Sequence, residues 1–453
     1  MEIIKSGSEK FLSNHSIFME MNTFFNLYNF VFGHKMIAEF FLVAAGVFIA
    51  WKLWRFIDVK FIIMFYALRT TWVIGGYSLF PDLIPHDLPG WYMHACWMVD
   101  DGLVPGKDFL SPYNIGFNAL LCLSVKIWHS PLAIAIMFAT FECVAIILLF
   151  NMLKEIFEEK NSSRIVMLYM SSPLCYVCAL GAQDESMILL GVVIALYLHL
   201  KGFHIATLIS LVVTLFCTKF IVPIYFYPFA LMFGASAVFT LLLSICAMYG
   251  VLAAFGLKPF MTQFGRYVGM ESYADQCSSM QTNGNIWAIL PTLPSWGKYI
   301  IGLLVVCTVA SIFIRYFTQG KGRDATMVRN ALTTSLLIVE LMYLFLPGCW
   351  PSYVLPVMPF AFAWALGQGA YARKVLLCCF VSFWCWLVYY CGASQPWLPT
   401  RFVVPFCAIY YIVHLSFIAF LLISLKPVIN DPIEGWNAFL SFVGLKRDSL
   451  IVT

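Results

Sequence analysis

Apolar runs of about 17–25 residues, separated by short polar connectors, recur from residue 36 to residue 424. That length matches a bilayer hydrocarbon core of about 30 Å. The runs are continuous rather than alternating, which predicts helices and excludes a transmembrane barrel. Spans are expected at 36–52, 61–80, 131–150, 165–181, 186–200, 204–219, 221–234, 236–256, 298–318, 331–348, 353–371, 374–391 and 402–424. Residues 114–129 read equally as a half-embedded helix or a further span. The expected fold is therefore all-α, a polytopic membrane bundle of about 11–14 transmembrane helices. Residues 1–35 are aromatic but interrupted by Glu20, Asn22, Asn26 and Asn29, a pattern that suits an interfacial segment. The bundle occupies 36–424, and 425–453 forms a tail.

Two long polar stretches break the pattern, 81–118 and 257–297. Basic residues set their side. Lys52, Arg55 and Lys60 outweigh Asp58 before the first stretch, and Arg315, Lys321, Arg323 and Arg329 outweigh Asp324 after the second. Positive loops stay cytoplasmic, so both polar stretches are expected outside and the tail inside. The connector 151–164 is neutral and does not vote.

Composition agrees. The chain has 453 residues, 62% hydrophobic and 11% charged, too few charges to cover a soluble protein of this size. A net charge of +4 gives no reason to expect nucleic acid. Most of the 15 cysteines, such as Cys378, Cys379 and Cys385, lie in apolar runs and read as small hydrophobes. Cys175 and Cys178 form a CxxC without partner ligands nearby in sequence. The N-terminus lacks signal-peptide architecture, so the first membrane helix is expected to direct insertion.

Stretch 81–118 holds Asp82, Asp87, Asp100, Asp101 and Asp108 against one lysine, Lys107. Asp87 is followed by GLVPGKDFLSPYN, and later phrases read GAQDESMILLGVVIALYL, TKFIVPIYFYPF, TNGNIWAIL and CWPSYVLPVMPF. In this order they resemble the glycosyltransferase C superfamily, mannosyltransferase-like branch, over roughly residues 60–370. In detail, Ala182 separates the expected Gly from Gln183, and Trp350 stands where a histidine is common. The resemblance implies an inverting glycosyltransferase that takes a sugar from a polyprenyl-phosphate donor. The acceptor would be a hydroxyl of a lipid-linked or cell-surface glycan on the external face, and the setting an inner or ER-type membrane, with a bacterial inner membrane the expectation.

Such a transfer needs a base for the acceptor hydroxyl, charge compensation at the departing phosphate, and alignment of both substrates. Asp87, flanked by Pro85 and Pro89, is the candidate base, and it equally suits a helix cap. Asp100, Asp101 and Asp108 are supporting acids; Asp100 and Asp101 are the candidates for holding Mg²⁺ or Mn²⁺, or they form a solvated helix end. Lys219 and Arg266 are candidate phosphate contacts, with snorkelling the plain alternative for the lysine. Gln183, Asp184, Glu185, Asn283, Asn285 and Trp287 are candidate sugar contacts; Asp184 and Glu185 also suit the positive end of a helix. Arg69, Glu142 and Glu340 are charges inside apolar runs, of the kind an ion relay would use. His86, His94 and His129 lie near the first polar stretch, at spacings that do not suggest a metal site. A translocator or polymerase of lipid-linked glycans remains the alternative function. An ion-coupled transporter would predict inverted repeats, and none is evident.

Overall fold

The computed structural model describes residues 52, 54–79, 87–109, 111, 113–157, 159–172, 175, 183–219, 222–226, 229 and 235–257, and parts of 297–308, 337–345, 351–366 and 415–421. The described chain is helical, with no β-strand among the described residues. A 3-10 turn at Trp54–Phe56 precedes α1 (Val59–Leu79). Then come α2 (Asp87–Val99), α3 (Ile115–Ile127), α4 (Pro131–Ile156) and α5 (Glu159–Met170). They are followed by α6 (Glu185–Leu200), α7 (His204–Phe216), a 3-10 turn at Val222–Phe226 and α8 (Ala235–Ala254). A 3-10 turn at Pro351–Val357 leads into α9 (Met358–Leu366).

Helix α4 is the spine. It starts where Ser130 accepts a hydrogen bond from the Leu132 N–H, and Pro131 follows at the first position, where a missing N–H costs nothing. It packs against α1, α5 and α6, and α6 packs in turn on α7. Lys201 meets Glu155 at 2.7 Å, so the C-terminal ends of α4 and α6 lie together. The chain then turns tightly. Gly202 takes φ +83°, and the Phe203 N–H closes onto the Leu198 carbonyl at 2.9 Å, which ends α6 and sends α7 back antiparallel. At the α6–α7 contact, a Cβ on Gly191 would collide with the Thr214 side chain, so only glycine allows this approach.

Two cores result. One joins α4, α5 and α6 through residues such as Leu149, Ile165, Ile188 and Val193. The other clamps α2 and α3 onto the first half of α4, with Trp91 edge-on to Phe138 at 5.3 Å and Tyr113 stacked on Phe117 at 4.2 Å.

Among the described residues, α4, with 26 residues, is the helix long and apolar enough to cross a membrane. α3, α6, α7 and the stretch Phe239–Ala254 are apolar but shorter. The 13 residues of α3 rise only about 20 Å, so the ambiguous segment 114–129 is too short to cross alone. The expected connector 151–164 is mostly helix: α4 runs through Lys154 and Glu155 to Ile156, and α5 begins at Glu159. Charged Lys and Glu break the hydropathy but are good helix formers. The expected span 165–181 therefore starts earlier, and its helix stops at Met170, before Ser171, Ser172 and Pro173. A residue preceding proline is biased away from helical backbone, which accounts for the stop. The segment read as span 221–234 opens with a 3-10 turn containing Pro223.

Candidate functional site

Lys219 is buried, and its ammonium lies 2.9 Å from Asp184 Oδ1 and 2.8 Å from Glu185 Oε1. Its Nζ also sits 4.4 Å from the centroid of the Tyr353 ring, within cation–π range. Both carboxylates are buried at the start of α6. Asp184 occupies the cap position but makes no side-chain capping bond; its carboxylate turns to Lys219 instead. The simple capping reading of Asp184 therefore does not describe the geometry. Lys219 follows the end of α7 at Phe216 by three residues, on irregular backbone. When all three are ionised, their formal charges sum to one negative, so the ammonium is already matched and faces no shortage of anions.

The phrase GLVPGKDFLSPYN approaches the same place. The Asn114 N–H donates to the Thr218 carbonyl at 3.0 Å, and its side-chain amide donates to the Leu215 carbonyl at 2.7 Å. The Tyr249 hydroxyl donates to Asn114 Oδ1 at 3.0 Å. Asn118 links back to Ser111 and to the Asn114 carbonyl. Asn114 thus joins the head of α3, the end of α7 and α8. Tyr225 donates to the Tyr353 carbonyl at 2.6 Å, bringing the 351–357 turn beneath Lys219. Four of the sequence phrases quoted above meet here: 111–118, 184–185, 218–219 and the phrase containing Tyr353.

Asp87 is the first residue of α2, so it belongs to a helix start rather than to a free loop. Asp108 accepts from the Val104 N–H at 2.8 Å and closes the turn 104–109. Asp101 is exposed. Asp100, at the end of α2, meets His129 at 3.2 Å, not a second carboxylate. Gln183 is partly buried just before α6. Arg266, Asn283, Asn285 and Trp287 lie outside the described residues, as does His86.

A second buried ion pair lies deeper. Arg69 of α1 bonds both oxygens of Glu142 of α4. Glu142 Oε1 also accepts from Tyr66 at 3.0 Å, Tyr169 at 3.0 Å and Cys175 at 3.0 Å. The Arg69 guanidinium lies 4.4 Å from the Tyr66 ring centroid. With this many donors on one carboxylate, the group is a tie among α1, α4, α5 and Cys175. The first cysteine of the CxxC is thus a hydrogen-bonding member of this tie. Glu340 is buried on the helical stretch 337–342.

The sequence reading missed Tyr92 and Cys96. They share a face of α2 with Asp100 at steps of four residues, and that spacing was the available signal. The Tyr92 hydroxyl is 2.9 Å from His129 Nδ1. Burial, then the neighbouring Cys96, pushes the Tyr92 phenol well above its ordinary value; burial pushes the Cys96 thiol up as well. Compared with protein-family models, curated proteins and solved structures, the chain gives no match.

Proposed function

We propose that this chain is a multi-pass membrane glycosyltransferase that moves a sugar from a polyprenyl-phosphate donor to a glycan or lipid-linked hydroxyl on the external face. The observation that supports this reading is the convergence just described. Phrases far apart in sequence, chosen for their resemblance to one superfamily, are tied together by Asn114, Lys219 and Tyr353. In this reading Asp87 is the base that takes the acceptor proton. Gln183 offers a polar contact to sugar beside the buried Asp184 and Glu185. Asn283, Asn285 and Trp287 complete the sugar contacts.

Lys219 changes role. With Asp184 and Glu185 within 2.9 Å, it holds the start of α6 in place, and the phosphate contact passes to Arg266. An anionic phosphate placed at Lys219 would meet two carboxylates first, and like charges repel. The base is tested by Asp87→Asn, which removes the proton acceptor and keeps the shape. Transfer falls by about 10²–10⁴-fold if Asp87 is the base. Unchanged transfer removes that assignment.

A translocator of lipid-linked glycans is the second reading. It is favoured by the Arg69–Glu142 pair, a charge cluster placed well inside an apolar bundle. Glu142→Gln with normal transfer but stalled export would favour that reading.

A further inference from the structure

One cluster lies at the edge of the second core, where Tyr92 and Cys96 pack against it, and has chemistry that the transfer step does not need. Tyr92, Cys96 and Asp100 succeed one another at four-residue steps along α2, and His129 reaches them from the short link between α3 and α4. Both supports are well fixed. The end of α2 is closed by the Leu103 N–H on the Trp97 carbonyl at 3.0 Å, with Gly102 at φ +68°. The link holding His129 is pinned by Trp128 N–H to the Ser124 carbonyl and by Ser130 N–H to the Trp128 carbonyl. His129 Nε2 lies 3.2 Å from Asp100 Oδ2 and 4.0 Å from Cys96 Sγ, and the donor atoms of all three residues fall within 4.8 Å of one another.

We propose that Cys96, Asp100 and His129 form a three-ligand site for a divalent transition metal of the zinc class, with Tyr92 as the positioning residue behind the imidazole. The distances suit it. Around a tetrahedral Zn²⁺, with Zn–S about 2.3 Å and Zn–N or Zn–O about 2.0 Å, the N to O edge is about 3.3 Å and the S to N edge about 3.5 Å. The observed 3.2 and 4.0 Å need only a small side-chain adjustment. With metal on Nε2, the His129 Nδ1–H donates to the Tyr92 oxygen 2.9 Å away, an outer contact that fixes tautomer and ring plane.

The donor set also selects the ion. One sulfur, one imidazole nitrogen and one carboxylate oxygen suit zinc-class metals, whereas Mg²⁺ demands mostly oxygen. In this proposal Asp100 serves with Cys96 and His129, where the sequence had offered Asp100 and Asp101 as candidates for Mg²⁺ or Mn²⁺. On binding, the Cys96 thiol releases its proton, and thiolate plus carboxylate balance the two charges of the metal. The His129 and Asp100 side chains are 54% and 50% exposed, which leaves the fourth position to water. The site is thus open and exchangeable, and its occupation does not depend on sugar transfer.

The test uses the full chain purified in detergent, with Co²⁺ and Zn²⁺ as the probes. Co²⁺ is expected to bind one per chain with a thiolate-to-cobalt charge-transfer band that Zn²⁺ abolishes. Cys96→Ser should lose the band, Tyr92→Phe should weaken binding by about 10–100-fold, and Asp100→Asn and His129→Ala, which remove ligands outright, should weaken it at least as much. On the unmodified chain, Zn²⁺ should slow alkylation of Cys96, read by peptide mass spectrometry, by about tenfold or more, and EDTA should reverse it. A band that persists in Cys96→Ser, or Cys96 alkylation indifferent to Zn²⁺, overturns the site.

Discussion

Replacing Lys219 by methionine keeps the length of the side chain and removes its charge. The ammonium lies 2.9 and 2.8 Å from two carboxylates whose side chains are 1% and 0% exposed. At an effective dielectric of 20, unit charges about 3 Å apart attract by about 5–6 kcal/mol, and the cost of taking each ion out of water offsets much of this. Breaking such a pair from one side costs about 3–5 kcal/mol, because it strands the remaining charge. Lys219→Met leaves two buried carboxylates facing each other, so it should sit at the upper end. Asp184→Asn/Glu185→Gln strands the ammonium and should cost a similar amount. The three changes together remove every charge and should cost less than either. Lys219→Arg keeps the charge but must fit a planar fork, and should fall between. The assay is thermal unfolding of detergent-solubilised protein, followed by size-exclusion fluorescence at matched lipid and detergent. If Lys219→Met shifts stability by no more than about 0.5 kcal/mol, as an ordinary surface substitution does, the structural role of the cluster is refuted.

Other substitutions test different levels of the account. Glu142→Leu should destabilise more than Glu142→Gln in the same unfolding assay, since four donors converge on Glu142 Oε1 and the amide oxygen can still accept from them. Gly191→Leu should cost about 1–3 kcal/mol or prevent folding, because its side chain must enter the space held by Thr214; a stable Gly191→Leu protein would contradict the α6–α7 approach. Lys201→Ala should leave the melting temperature unchanged within error. Its pair with Glu155 raises the lysine's proton affinity, yet the group is exposed to water and salt. Asp108→Ala should increase protease cutting within 104–109 while leaving overall melting nearly intact.

The apolar runs made the helices legible, and the boundaries of α1, α6, α7 and α8 fall within a few residues of the runs that announced them. Hydropathy failed where charge and helix propensity disagree. Lys154, Glu155, Glu159 and Lys160 read as a loop but continue helices, because their charges sit at helix ends where water can reach them. The sequence marked Asp184, Glu185 and Lys219 as important without indicating that they bond one another; a separation of 34–35 residues along the chain leaves no periodic trace. The same holds for Arg69 and Glu142, 73 residues apart. Adjacent Asp100 and Asp101 point about 100° apart on a helix, so helical spacing directs Asp100 to Cys96, and only the return of the chain at residues 128–130 supplies His129.

The most direct test of sugar transfer is mass spectrometry of lipid-linked and surface glycans from cells lacking this protein, complemented with wild type or with Asp87→Asn at equal expression. Loss of one defined sugar residue, restored by wild type and not by the variant, is the expected result. Complete lipid-linked units that accumulate untranslocated or unpolymerised, or full rescue by Asp87→Asn, would contradict it.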